Sequence, residues 1–466
     1  MTKGEALLAS IREGRQMTHA EQLRLIASLS VPGILAQLSQ ILMFFIDAAM
    51  VGALGARQSA AIGLVESTTW LFGGLTSAMS MGFSVQVAHA IGANDMARAR
   101  RVLRQALVCA LGLSLLLAGA AVAVSGALPG WLGGEEALHR EATQYFLVFG
   151  FAIPFFQLQS LCSSMLKCSG NMKTPSMLNI LMCVMDVVFN YFFIFQLHLG
   201  VLGAALGTLL ATVLTAASMF WFLVVRSSTL GLRLDTGRLL RRDQPWGGFR
   251  PRGDTVSTAL KIASPMALQH LLMGSAQIVS TIIVAPLGMV AIAANSFAIT
   301  VESICYMPGY GIAEAATTLV GQCIGAGQRL LTRAFAYKSV GTGMVAMTLM
   351  GMLMWVFAPE LMSVMTPVEA IRAAGAESLR IEAWAEPMFA AAIVCNGVFI
   401  GAGDTLVPAG MSLFSMWAVR LTLAAWLAPV YGLPGVWTAM ACELSFRGFI
   451  FLVRLWRGSW ARKGRV

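Results

Sequence analysis

The feature that most constrains this chain is a succession of long apolar segments along almost its whole length. A helix needs roughly 20 apolar residues to cross the hydrocarbon core of a bilayer. Segments of that kind lie at 27–54, 60–88, 103–126, 143–166, 174–196, 200–225, 258–286, 290–318, 338–359, 383–402, 409–429 and 434–455. Twelve such segments leave little room for a water-facing core. Composition agrees: 57% of the residues are hydrophobic, 12% are charged, and the mean hydropathy is +0.74. An average soluble domain is about 25% charged. The reading is an all-α integral membrane protein with the lipid bilayer as its main partner. Abundant glycine (46) and methionine (28) fit close helix contacts and an adaptable apolar interior.

The net charge is +10, which in a soluble protein would raise the question of nucleic acid. Here the basic residues sit between apolar segments, and no nucleic-acid partner is expected. They cluster in the N-terminal segment, at Arg98, Arg100, Arg101 and Arg104, at Lys167 and Lys173, and through the central link. They recur at Arg329, Arg333 and Lys338 and in the tail. Alternate loops are short or acidic, so the bias predicts cytoplasmic termini in a cell inner (plasma) membrane. The first residues lack the pattern of a cleavable signal peptide. The eight cysteines show no CxxC or Cys/His spacing and read as buried thiols.

The two halves of the chain repeat. Pro32 and Pro265 lie 233 residues apart. The same shift maps Gly55 onto Gly288, Ile91-Gly92-Ala93 onto Ile324-Gly325-Ala326, Pro154 onto Pro387, Gly170 onto Gly403 and Pro175 onto Pro408. Each half holds an even number of segments, so the repeats run parallel, related by an axis along the membrane normal. The expected organisation is two six-helix lobes with pseudo-two-fold symmetry. Residues 1–26 form an N-terminal segment and 27–226 the first lobe. A basic linker spans 227–256, the second lobe 257–456, and a basic tail 457–466. Pro154 and Pro387 fall inside spans and predict kinks.

Ionised groups inside a span are expensive and usually mark an ion or substrate path. Asp47 is a lone carboxylate with apolar neighbours and no basic residue within a turn. It can take up a proton, or it can coordinate a cation with other oxygens. In the fifth segment Asn179, Asp186 and Asn190 are seven and four residues apart, so they share one helix face. Thr208 in the sixth segment adds a hydroxyl. Asp47, Asp186, Asn190 and Thr208 offer enough oxygens for a hard monovalent cation, and Na⁺ is the one metal expected there. Glu302, Gln277, Asn179 and Glu66 are candidates for lining a substrate cleft. Arg420, buried by hydropathy, needs an acid or carbonyls and reads as half of a structural pair.

The stretches VPGILAQLSQILMFFIDAAMVGALG, IGANDMARARR, KCSGNMKTP, YMPGYGIAEAATTLVGQCIGAG, GAGDTLVP and GLPGVW together resemble the multidrug and toxic compound extrusion (MATE) family. The resemblance covers nearly the whole chain. It implies twelve helices in two lobes and an antiporter that exports organic compounds, often cations, against inward Na⁺ or H⁺. It also implies that Asp47 is the coupling carboxylate. In the DinF-type branch the fifth helix carries an Asn and, four residues later, an Asp; here Asp186 and Asn190 stand in reversed order. The NorM-type branch uses acids on the seventh and tenth helices, where this chain has Met273 and Phe389. An ion site of that kind is therefore not expected in the second lobe.

The reading that results is a secondary active antiporter, acting as a monomer on a small organic substrate, with no cofactor beyond its coupling ion, H⁺ or Na⁺. The alternative is a flippase for a lipid-linked saccharide, which calls for a strongly basic central cavity. An enzyme is not expected, since the spans hold no catalytic His/acid pair. No GxxxxGK[ST] sequence is present, so ATP is not the direct energy source.

Overall fold

The computed structural model describes residues 3–15, 17–133, 135–232 and 249–462. Most of the expected basic linker, and the last four residues of the tail, lie outside the described residues. Every regular element among the described residues is helical. Helices α1 (Lys3–Arg12), α2 (His19–Gly52), α3 (Ala56–Gly92), α4 (Met96–Val124), α5 (Leu128–Trp131), α6 (Glu136–Cys168), α7 (Lys173–Tyr191) and α8 (Gly200–Trp221) make up the first half. The second half holds α9 (Gly253–Val284), α10 (Met289–Gly325), α11 (Arg329–Met365), α12 (Glu369–Ala383) and α13 (Glu386–Gly401). It closes with α14 (Leu406–Phe414), α15 (Leu421–Tyr431) and α16 (Leu433–Arg457). Wider π turns extend α7 over Phe192–Gln196 and α8 over Phe222–Arg226, and join α14 to α15 over Ser415–Arg420.

Among the described residues nine of these helices, and α14 with α15 joined through their π turn, are long and apolar enough to cross a bilayer; the bent pair α12–α13 makes an eleventh. The remaining expected span, 60–88, lies within the unbroken 37-residue α3. Its serines, threonines, Glu66 and Gln86 dilute the hydropathy without shortening the helix. Local signals set the helix starts. Thr18 and Glu21 form a reciprocal capping box at the head of α2: Thr18 N donates to Glu21 Oε2 at 2.8 Å, and Glu21 N donates to Thr18 Oγ1 at 3.3 Å. Asp95 caps α4 by accepting from Arg98 N at 2.9 Å.

Contacts divide the chain into two compact units. The first is Ser39–Ala267; the second combines Leu268–Arg465 with Met1–Leu38. Helices α2 and α9 therefore each change unit shortly after their prolines, Pro32 and Pro265. In the first unit α6 is the central helix, packed against α3, α4 and α8. In the second, α13 has that place, packed against α10, α11 and α16. Gly397 and Gly401, four residues apart on α13, lie on Ala313 and Thr317 of α10. Thr317 Oγ1 donates to the Gly397 carbonyl at 2.8 Å. A small-residue face of this kind lets two backbones approach and pack in lipid.

The 233-residue repeat is written into the backbone. Gly55 and Gly288, Asn94 and Gly327, and Gly170 and Gly403 all have positive φ, the region that favours glycine or asparagine. The end of α3 is closed by bonds from Ala93, Asn94 and Asp95 N to His89, Ile91 and Ala90 O. The end of α10 is closed by Ala326, Gly327 and Gln328 N on Gln322, Ile324 and Cys323 O. All three bonds are displaced by the same shift. The repeat does not hold everywhere: the π turns of the two halves fall at different positions, and the two prolines behave differently. Helix α6 runs unbroken through Pro154, whereas at Pro387 the chain breaks, and α12 and α13 meet at 61°. Pro387 opens α13, where its missing N–H costs nothing. All eight cysteines are free thiols; five are buried as expected, but Cys109 and Cys183 are only half-buried and Cys442 is exposed.

Candidate functional site

In the first unit the side chain of Asn190 joins two carboxyl groups. Helix α7 carries Asp186 and Asn190 one turn apart, and their relative exposures are 0% and 2%. Asn190 Nδ2 donates to Asp47 Oδ1 on α2 at 3.0 Å and to Asp186 Oδ2 at 3.1 Å. The Asp47 and Asp186 carboxyls lie close enough to interact directly, and Thr208 on α8 reaches Asp186 as well. Gly207 makes room for this arrangement. A Cβ there would meet Asn190 Oδ1, with Asn190 N only 2.8 Å away.

The four residues that the sequence offered as an ion site, Asp47, Asp186, Asn190 and Thr208, thus come together from three helices. The reversed order of Asp186 and Asn190 leaves both on one face, and both donors of one amide serve the two acids. No basic side chain among the described residues forms an ion pair with Asp47 or Asp186. Asp186 Oδ1 and Asn190 Oδ1 are buried without a hydrogen-bond partner among the described residues. Buried acceptors without donors are costly. The donor set therefore suits a proton or a small hard cation, which draws on carboxylate, amide and hydroxyl oxygens together. Tyr145 on α6 stands within electrostatic reach of Asp47, Asp186 and Glu66. Nothing in its sequence surroundings marked it.

The candidate cleft residues are scattered. Asn179 accepts from Gln159 Nε2 at 3.3 Å, about two turns along α7 from Asp186. Glu66 is exposed on α3 and accepts from Trp70 Nε1 at 3.4 Å. In the second unit Gln277 is exposed on α9, and no hydrogen bond among the described residues joins it to Glu302.

Glu302 is buried on α10 in a charged cluster that the sequence reading did not assemble. Arg420, at the end of the π turn, faces Glu443, Glu302 and Glu382, and its Nη2 approaches Met440 Sδ at 2.6 Å. Glu443 on α16 pairs with Arg447 Nη2 at 2.6 Å and accepts from Ser415 Oγ at 2.5 Å. Glu382 and Glu386 flank the break between α12 and α13, and both are 0% exposed. None of their four carboxyl oxygens has a hydrogen-bond partner among the described residues. The repeat places Phe149 and Ile153 at the equivalent positions of α6. Met273 and Phe389 are apolar, as read: Met273 packs with Ala276 and Met416, and Phe389 lies 5.4 Å from the Tyr306 ring. The acids of this unit stand elsewhere.

The MatE family model matches the chain twice, over residues 32–192 and 265–426. The chain belongs to the MatE family. The two matches begin at Pro32 and Pro265, the first pair of the internal repeat. A relative in Thermotoga maritima, the "Probable multidrug resistance protein NorM", is 23% identical over 441 residues, covering 93% of this chain and 92% of the relative. The protein of that name in Burkholderia pseudomallei is 29% identical over 449 residues, with 93% and 92% covered. Among solved structures, that of a MATE protein in complex with MaL6 superposes with a TM-score of 0.89 at 21% identity, over 99% of this chain and 100% of the other. The Vibrio cholerae MATE transporter VcmN, solved in a mutant form, gives a TM-score of 0.86 at 18% identity, over 99% and 100%. This MatE protein is a multi-pass membrane transporter and not an enzyme.

Proposed function

We propose that this MatE protein is a secondary active antiporter that exports amphipathic, cationic organic compounds in exchange for H⁺ or Na⁺. The observation that carries the reading is the pair of carboxyls, Asp47 and Asp186, bridged by the one amide of Asn190 and without a basic partner. Such a pair gains by taking up a proton or cation and becomes costly when it lets go. Uptake from one side and release to the other couples the ion to a conformational cycle, provided that ion and substrate favour different states. The names of the multidrug resistance relatives support drug export. The chain sits in the inner membrane with both termini cytoplasmic, and it works as a monomer. The site in Ser39–Ala267 is the feature nearest to the DinF-type pattern. A flippase of lipid-linked saccharides has less support, since Arg420 is engaged by carboxyls rather than lining a basic cavity.

The test is efflux of a fluorescent organic cation from everted vesicles under a separate Na⁺ gradient and a separate pH gradient. One gradient is expected to drive transport. Transport of a lipid-linked saccharide but not of the dye under either gradient would replace the proposal.

A further inference from the structure

Helix α11 loses its helical course at Phe357 (φ −96°, ψ 15°), two residues before Pro359. The chain then turns into the short helix α12. Between the bent end of α11 and one face of α12 lies an open groove of about 930 Å³. Its walls carry Trp355, Trp384, Glu369, Arg372, Glu377 and Arg380. The spacing explains the shared wall: residues three and four apart on a helix fall on one face, and Glu369, Arg372, Ala376 and Arg380 follow that rhythm, with Glu377 beside Ala376 and Trp384 just past the end of α12.

This wall is unlike an ordinary solvated helix face in two respects. Glu369–Arg372 and Glu377–Arg380 have the spacing for ion pairs within the helix, yet no such pair forms among the described residues. Arg380 instead donates Nε to the Trp355 carbonyl at 3.3 Å and lies 5.7 Å from the centre of its ring. The indoles are open, with 45% of Trp355 and 79% of Trp384 exposed. Exposed tryptophans at the ends of spans mark the membrane–water boundary. Val356, Phe357 and Val364, also exposed, continue the surface with apolar groups. The groove thus offers two guanidinium groups, two carboxylates and two indoles beside an apolar surface.

We propose that this groove binds a phospholipid with a zwitterionic head group and a primary ammonium, that is, phosphatidylethanolamine. The phosphate meets Arg372 and Arg380, whose planar forks suit phosphate oxygens. The ammonium donates to Glu369 and Glu377. The acyl chains leave past Trp384 along the apolar surface. A choline head group has no N–H to give those carboxylates, and a glycerol head group brings no positive charge to them. The matched two-and-two charge of the wall therefore selects the ethanolamine head group.

The test is native mass spectrometry of the delipidated full chain after addition of phosphatidylethanolamine, phosphatidylcholine or phosphatidylglycerol at equal concentration. The wild type is expected to retain one phosphatidylethanolamine, bound roughly tenfold more tightly than either other lipid. The double variant Arg372→Gln, Glu377→Gln is expected to lose that preference. Both side chains lie at the groove surface, so the variant should fold, and its dye transport serves as the check. Equal retention of the three lipids by the wild type overturns the proposal. So does an undiminished ethanolamine preference in the double variant, or a preference for phosphatidylglycerol.

Discussion

At Asn190 a single amide has both of its donors committed, one to each of two acids. The small residue that permits this is Gly207, whose Cα faces the amide. Gly207→Ala places a methyl group onto Asn190 Oδ1 and is expected to push the amide off both carboxyls. Ion-driven efflux should fall at least about tenfold, with a folding penalty of about 1–3 kcal/mol for the overpacking. Efflux and thermal stability measured on the same preparation separate the two effects, and unchanged efflux would show that the bridge is dispensable. The second unit supplies a contrast between two buried carboxyls. Glu443 has partners, Ser415 and Arg447; Glu386 has no hydrogen-bond partner among the described residues. Glu443→Gln strands Arg447 and should cost about 3–5 kcal/mol. Glu386→Gln removes a group that nothing in the unit solvates, so its melting temperature should equal or exceed that of the wild type. A lower melting temperature for Glu386→Gln than for Glu443→Gln would reverse this account of the cluster. The first site was legible in the sequence because an acid in an apolar run stands out. The second cluster was not. Glu382 closes a charged stretch, Glu443 stands among small residues, and only folding brings Glu302, Arg420 and Glu443, from three separate segments, to Glu382.

At the scale of elements, apolar length gave the spans but not their starts. Helices α2 and α4 begin at His19 and Met96, ahead of the expected 27 and 103, because Thr18 with Glu21 and Asp95 cap polar turns that precede the apolar runs. The π turns were not legible, because a π turn needs no distinctive residue. The two prolines show the limit of a local rule. Pro154 and Pro387 occupy equivalent positions, yet only Pro387 stands at a break. Around the break the second half carries Glu382 and Glu386 where α6 carries Phe149 and Ile153, so the same proline position is compatible with both courses. The packing of α10 on α13 depends on the absence of side chains at Gly397 and Gly401. Gly397→Leu is expected to separate these helices and lower the melting temperature, since a built Cβ already lies 2.5 Å from the Ala313 carbonyl. Gly341→Ala on α11, where no atom lies within 4 Å of the added Cβ, is the control and should melt with the wild type. Equal melting of the two variants would count against close backbone packing as the basis of this contact.

At the scale of the whole molecule, the 233-residue repeat was the most informative line in the sequence. It reappears as paired positive-φ residues, as paired helix-end bonds and as two matches to one family model. What it did not predict is where the halves differ in chemistry. The first unit holds a bridged pair of acids without a basic partner, and the second a mixed cluster of four acids and two arginines. A repeat preserves backbone geometry and leaves side chains free to diverge. Coupling by the first unit alone is the central claim. Its most direct test is Asp47→Asn, reconstituted in proteoliposomes, with substrate binding and gradient-driven substrate movement measured side by side. The account predicts that binding persists while movement driven by the coupling ion falls at least about tenfold, the amide being unable to release a charge. Gradient-driven movement equal to that of the wild type would contradict it and leave Asp47 a structural residue.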